Sequence, residues 1–368
     1  WSSVVAATPA TTPGAPLGLI GTAADAQVVL SWNAPSTDGG SSISAWRVDR
    51  STDGGTQWTQ VAIVSARTAV VSGLVNGTSY LFRVSARNAI GDGPAAVLAS
   101  SISPRAVATA PTGLTAVAAD RQVALTWSIP ASDGGASITG YVVERTSDGG
   151  TTWGSPISVS GTSITISGLT NGVAYGFRVR AVNAAGQGSA SSVTTATPAT
   201  VPDLPVGLTA QPADGQVLLS WYAPSVDGGS SIVGYRVERS TDGISWTVVA
   251  SSVTTRTFLV VGLTNGTSYG FRVAAINGVG SGAATVSQPV VPRTVASAPT
   301  NLRATSGDSS VALTWSSPVF DGGDPVTDYV VEYSADGGRS WQARPAVAAT
   351  STTVTQLTNG LAYVFRVR

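Results

Sequence analysis

Leu74-Val-Asn-Gly-Thr-Ser-Tyr80-Leu-Phe82-Arg83-Val84 decides the fold, because the same pattern returns at residues 169–179, 263–273 and 357–367. Each copy opens on a leucine, passes through an Asn-Gly turn and continues as Tyr-x-Phe-Arg-Val. Asn-Gly punctuates the chain, and the alternation of Tyr80, Phe82, Val84 and Ala86 with their neighbours is a strand period of two. Working outward, Trp32, Trp127, Trp221 and Trp315 stand 95, 94 and 94 residues apart. Between these anchors lies Pro35-x-x-Asp38-Gly-Gly, repeated from Pro130, Pro224 and Pro318. A second Asp-Gly turn with a tryptophan follows at Asp53/Trp58, Asp148/Trp153, Asp242/Trp246 and Asp336/Trp341. A period near 94 is too long for a solenoid repeat and suits an independent domain. Short alternating runs such as Gln27-Val-Val-Leu-Ser-Trp32, broken by Gly, Pro, Asn and Asp, predict an all-β architecture with no helical stripe.

Each repeat resembles a fibronectin type III domain. The resemblance rests on the tryptophan of the second strand, the Tyr-x-Val of the third strand and the Leu-x-x-Gly-x-x-Tyr turn into the sixth. It implies seven-strand, immunoglobulin-like β-sandwiches, four in tandem in an extended rod, with repeats at 16–104, 111–198, 205–292 and 299–368 and a linker at 10–15. It also implies that Trp32, Trp127, Trp221 and Trp315 are core. Tyr80, Tyr175, Tyr269 and Tyr363 then form a tyrosine corner, whose hydroxyl bonds nearby backbone. Trp46 departs from the pattern, standing where the other repeats have Tyr141, Tyr235 and Tyr329. Without an Arg-Gly-Asp tripeptide, the integrin contact of some family members is not implied. Linkers with proline at both ends, at 9–16, 104–111, 198–205 and 292–299, restrict φ and predict spaced, semi-rigid neighbours. Strands of ~8 residues then give repeats roughly 35 Å long and a rod on the order of 140 Å.

Composition excludes much of enzyme chemistry. The 368 residues include 20 Lys+Arg, all of them arginine, against 20 Asp+Glu, with no His, Cys or Met. Ser–His and Cys–His catalysis, the usual zinc sites, disulfides and an imidazole switch are therefore absent. A net charge of zero offers no electrostatic footprint for nucleic acid. No apolar run approaches the ~18 residues of a membrane span. Charged residues are 11% of the chain, against the roughly 25% of ordinary domains, so Ser, Thr and Gly carry the hydration.

The two ends are out of phase with the repeats. Residues 1–9 align with 190–198, the last strand of the second repeat, whereas Arg368 aligns with Ala274 inside a sixth strand. The fourth repeat is therefore expected to lack its seventh strand. Two readings stand: a window cut from a longer repetitive protein, or donation of Ser2, Val4, Ala6 and Thr8 as a strand to the fourth sandwich of another copy, head to tail.

Other residues carry paired readings. Asp38, Asp133, Asp227 and Asp321 read as calcium ligands or as turn residues beside glycines of positive φ; calcium wants six to eight oxygens, and only Asp324 adds a second carboxylate. Trp58, Trp153, Trp246 and Trp341, expected on the fourth strand, either face glycans or cover their own hairpin beside an arginine stem. Asn76 and Asn265 fit the glycosylation pattern, yet Asn171 and Asn359 keep the Asn-Gly without it, which favours a turn role. Linker threonines such as Thr8, Thr11, Thr12, Thr197 and Thr200 form a weak pattern for O-linked sugar. Glu144, Glu238 and Glu332, the only glutamates, share one register and predict cross-strand pairing with arginine.

The expectation is a non-enzymatic structural and adhesive module of an extracellular or cell-surface protein of bacterial type, acting as fibre or spacer without cofactor or metal. Its expected partners are other copies or further repeats, with no nucleic acid and no membrane insertion. The alternative is a carbohydrate-binding accessory of a secreted glycan-active enzyme, with glycans as partner.

Overall fold

The computed structural model describes residues 3–6 and 8–368; Trp1, Ser2 and Ala7, and with them the Ser2 position of the expected donor strand, lie outside the described residues. Among those residues the regular structure is β only, and no helix is long and apolar enough to cross a membrane. The chain divides into two compact units, Trp1–Pro198 and Ala199–Arg368, each holding two sandwiches.

In the first sandwich the strands are β1 (Leu17–Ala24), β2 (Gln27–Asn33), β3 (Ala45–Ser51), β4 (Thr59–Val64), β5 (Thr68–Ser72), β6 (Leu81–Arg87) and β7 (Asp92–Val97). They form a three-strand sheet, β1-β2-β5, facing a four-strand sheet, β4-β3-β6-β7, and every pairing is antiparallel. Alternation decides which side chains meet between the sheets: Val28, Leu30 and Trp32 from β2 point inward with Val48 from β3 and Phe82, Val84 and Ala86 from β6. The chain enters β1 through a bulge at Gly18, whose φ is +59°. Gly113 and Gly207 repeat it, and Asn301 takes the same left-handed conformation in the fourth sandwich, a substitution that asparagine's short polar side chain tolerates.

The second sandwich repeats this order, with its last strand split into Gly186–Ala190 and Thr194–Ala196, both paired with Tyr175–Asn183. In the second unit, the third sandwich has all seven strands. In the fourth, Val331–Ser334 lies between Gln342–Ala343 and Val364–Val367, and the far edge of Val364–Val367 carries no strand among the described residues. Residues 3–6 lie in no strand, and Val4 is 98% exposed. Ala6 and Thr8 are likewise exposed coil, so the described part of the expected donor strand is not paired in this chain.

Candidate functional site

The inner tryptophans are placed by the second strand of each sandwich. Trp32, Trp127, Trp221 and Trp315 are 4%, 6%, 3% and 6% exposed. Each ring meets the aromatic of the third strand edge to face, Trp32 with Trp46 at 5.9 Å and the others with Tyr141, Tyr235 and Tyr329 at 5.4–5.5 Å. Trp46 thus fills the tyrosine position without changing the contact. The four indole N–H groups are buried without an acceptor, so aromatic contact and burial hold these rings rather than a hydrogen bond.

The corner tyrosines stand where the turn enters the sixth strand. The backbone N–H of Val75, Thr170, Thr264 and Thr358 donates to the hydroxyl of Tyr80, Tyr175, Tyr269 and Tyr363, each at 3.1 Å. The asparagine of the same turn reaches back to the first hairpin. Asn76 Oδ1 accepts from the Ala26 N–H and Asn76 Nδ2 donates to Asp25, both at 2.8 Å. Asn171, Asn265 and Asn359 repeat the pair of bonds with Arg121 and Asp120, Gly215 and Asp214, and Ser309 and Asp308. The nitrogen that would carry a glycan on Asn76 or Asn265 is therefore committed to an aspartate, as it is in the two copies that lack the glycosylation pattern.

The outer face of the sheet that contains the third and sixth strands holds a repeated cluster of charge and aromatic rings. Register between the third and sixth strands sets Asp49 opposite Arg83, Glu144 opposite Arg178, Glu238 opposite Arg272 and Glu332 opposite Arg366. The arginine Nε donates to the carboxylate at 2.9, 2.7, 2.6 and 2.7 Å respectively. The same guanidinium then lies over a tryptophan, 4.5 Å from the Trp58 ring centre, 3.8 Å from Trp153, 4.6 Å from Trp246 and 4.1 Å from Trp341. A cation over the ring face and a carboxylate at its edge satisfy one another. These tryptophans are half-buried and do not sit on the fourth strand, as the sequence suggested. Trp58, Trp246 and Trp341 immediately precede it, and Trp153 lies four residues before Ile157–Val159. The aspartate holds the turn closed up to the residue before the ring, so the strand starts only after it: Asp53, for example, accepts from the N–H groups of Thr56 and Gln57.

The electrostatics follow from these bonds. The arginine beside each of Glu144, Glu238 and Glu332 holds its carboxyl below the ordinary range. The turn aspartates are also held low: Asp53 chiefly by the Gln57 N–H, Asp148 by the Thr146 hydroxyl, Asp242 by the Ile244 N–H and Asp336 by the Ser334 hydroxyl. A carboxylate kept ionised and bound to arginine is not poised to exchange a proton near neutral pH.

The Asp-Gly-Gly loops serve the linkers. Asp38, Asp133, Asp227 and Asp321 each accept from the N–H of the second glycine, at 2.8–2.9 Å, closing a turn on itself. Asp324, the extra carboxylate, is paired with Arg293 at 2.9 Å. No group of three or more carboxylates that could hold a metal ion occurs among the described residues. The incoming linker packs against the first glycine: a Cβ on Gly39, Gly134, Gly228 or Gly322 would overlap the carbonyl oxygen of Thr11, Ala106, Thr200 or Thr294. Asn88, Asn183 and Asn277 staple this arrangement. Their side-chain nitrogens donate both to the linker carbonyl of Thr11, Ala106 or Thr200 and to the loop carbonyl of Asp38, Asp133 or Asp227, at 2.6–2.8 Å. Sequence reasoning assigned these asparagines no role. Their recurrence at one position in three repeats, each just before a Gly-containing loop, was the available signal.

Comparison with known proteins fits this geometry. Residues 14–100, 109–197, 203–293 and 297–368 each match the fibronectin type III domain. The chain is 31% identical to human myomesin-2 over 97% of its own length and 26% of that protein's. It is 31% identical to the striated-muscle M-protein of Gallus gallus, over 93% of the chain and 25% of the relative. It is 33% identical to endoglucanase B of Cellulomonas fimi, over 89% of the chain and 32% of the relative. The chain thus spans between a quarter and a third of the length of each of these relatives. With a match in all four repeats, the chain belongs to the fibronectin type III family.

Proposed function

We propose that this chain is a non-catalytic structural spacer, a tandem array that sets the separation between parts of an extracellular protein. One observation carries the reading: the charged and aromatic groups that recur on every sandwich are bonded to one another, carboxylate to arginine to tryptophan, and the recurring loops are bonded to their linkers. Convergent polar groups left free for a substrate are what a catalytic or ligand site needs. The same repeats occur in muscle proteins and in a glucanase, so the stretch they share supports a role common to both rather than either activity. Endoglucanase B and exoglucanase B of Cellulomonas fimi are named for a glucan, a polymer too large to enter a cell, which supports extracellular placement. Modules of its own kind, in the same chain or in another copy, are the partners that suit such an array.

The second reading, a carbohydrate-binding accessory, draws on the same two glucanases and on the half-exposed tryptophans. Incubating the full chain with insoluble cellulose, chitin and xylan separates the two. A spacer stays in the supernatant and releases no sugar. Retention that is lost when Trp58, Trp153, Trp246 and Trp341 are all changed to alanine would replace the spacer with the accessory.

A further inference from the structure

Within each compact unit one module meets the next through glycine. In the first unit the Asn76-Gly77 turn of the first sandwich lies against Gly135, the second glycine of the Asp-Gly-Gly loop of the second sandwich. A Cβ on Gly135 would overlap the Gly77 nitrogen and stand 2.5 Å from the Asn76 carbonyl carbon. A Cβ on Gly77 would stand 3.1 Å from the Gly135 Cα. The second unit repeats the contact: a Cβ on Gly323 would overlap the Gly266 nitrogen, and one on Gly266 would stand 3.1 Å from the Gly323 Cα. The turn is also tied to the linker, Gly77 N–H donating to Pro104 O at 2.9 Å and Gly266 N–H to Pro292 O at 3.0 Å. The nearest atoms are backbone, with the Cβ of Asn76 or Asn265 beside them. Backbone meets backbone too closely to admit a Cβ on Gly135 or Gly323, and one on Gly77 or Gly266 would be tight at 3.1 Å.

We propose that these pairs form a module lock: the second glycine of the Asp-Gly-Gly loop is a docking surface whose partner is the Asn-Gly turn of the preceding fibronectin type III module, and the lock closes the linker between them. The Asn-Gly and Asp-Gly-Gly motifs are then one device written in two places. This goes beyond the spacer reading, because a chain that bound polysaccharide would carry the same lock.

Two glycines in this chain separate docking from backbone strain. Gly360 has the φ of Gly266, +82° against +81°, in the same turn, yet a Cβ on Gly360 would meet nothing within 4 Å. Gly40 has the φ of Gly135, +77° against +81°, in the same loop, and a Cβ there would come no closer than 3.2 Å, to the Pro9 oxygen. Alanine at any of these positions carries similar strain; at Gly77, Gly135, Gly266 and Gly323 it also meets the neighbouring module, whereas at Gly40 it meets residues 9 and 10 and at Gly360 nothing.

Trypsin reads the lock directly, since Arg105 and Arg293 lie in the two linkers concerned and both side chains are exposed. Cleavage there requires local opening of the linker backbone. Expected in the full-length chain is a rise of about tenfold in cleavage after Arg105 for Gly77→Ala and Gly135→Ala, and after Arg293 for Gly266→Ala and Gly323→Ala, each leaving the other linker unchanged. Gly360→Ala and Gly40→Ala leave both linkers at the wild-type rate. Equal cleavage after Arg293 in Gly266→Ala and Gly360→Ala overturns the lock. A variant that unfolds a whole module reveals itself by cuts after Arg83, Arg178, Arg272 or Arg366, one inside each sandwich. Amide exchange then decides: the Gly77 amide in Gly135→Ala and the Gly266 amide in Gly323→Ala exchange about tenfold faster than in the unmodified chain if the lock exists, and at the unmodified rate if it does not.

Discussion

Eight of the ten tryptophans form two sets of four that share one period and meet opposite surroundings. Trp32, Trp127, Trp221 and Trp315 sit between the sheets against an aromatic ring, and their indole N–H groups have no acceptor. Trp58, Trp153, Trp246 and Trp341 lie outside, half-buried beneath an arginine that also holds a carboxylate. The inner set is held by the removal of apolar area from water, the outer set by a cation shared between a ring and an anion. Recurrence of a residue type says that its position matters. Only its neighbours, alternating strand or closing turn, say how.

The widest gap between the sets is in stability. Trp127→Ala is expected to cost about 3–5 kcal/mol, against a total of roughly 5–15 kcal/mol for a typical domain. The loss is measurable as faster amide exchange throughout Gln122–Ser128 and Tyr175–Asn183 with the other sandwiches unchanged. Next comes the corner: Tyr175→Phe leaves the Thr170 N–H without its acceptor, and ~1–2 kcal/mol is expected from chemical denaturation followed by exchange in that sandwich. Trp153→Ala should cost about 1 kcal/mol, because a half-exposed stack on arginine is worth less than a buried ring. Equal costs for Trp127→Ala and Trp153→Ala would erase the distinction between the two sets.

The smallest effect is acid-dependent and has no counterpart in the inner set. Glu144, Glu238 and Glu332 have carboxyls held below the ordinary glutamate value of about 4.3, so folding favours their ionised form. The stability they contribute is complete above that value and is lost as the pH falls through their lowered range. Melting temperature should therefore drop on acidification below about pH 4. Changing all three to glutamine should lower the melting temperature at pH 7 and leave a shallower acid decline. An unchanged decline would assign it to the turn aspartates Asp53, Asp148, Asp242 and Asp336.

The inner set was legible from sequence because alternation is local: Gln27–Asn33 declares its buried face within seven residues. The corner was legible from the resemblance, since its hydroxyl reaches only five residues back. The glutamate–arginine pairs were readable in kind, from a shared register, but not in partner. That Trp153 meets the same arginine as Glu144 depends on strand register across 34 residues and on where a turn ends. The Asn88, Asn183 and Asn277 staples span 77 residues to the linker, and no local pattern marks such a bond. The glycosylation pattern at Asn76 and Asn265 was plain in the sequence, while the aspartate that occupies the amide lies 51 residues away.

The pairing of Trp153 with Arg178 is tested most directly by a double-mutant cycle in the full-length chain: Trp153→Ala, Arg178→Ala and both together, with stability read by amide exchange in the second sandwich. If the ring is spent on its own arginine, the two losses are coupled by about 0.5–1 kcal/mol. Losses that add to within about 0.3 kcal/mol would mean that ring and guanidinium act independently, and the outer tryptophans would again be free faces for a ligand.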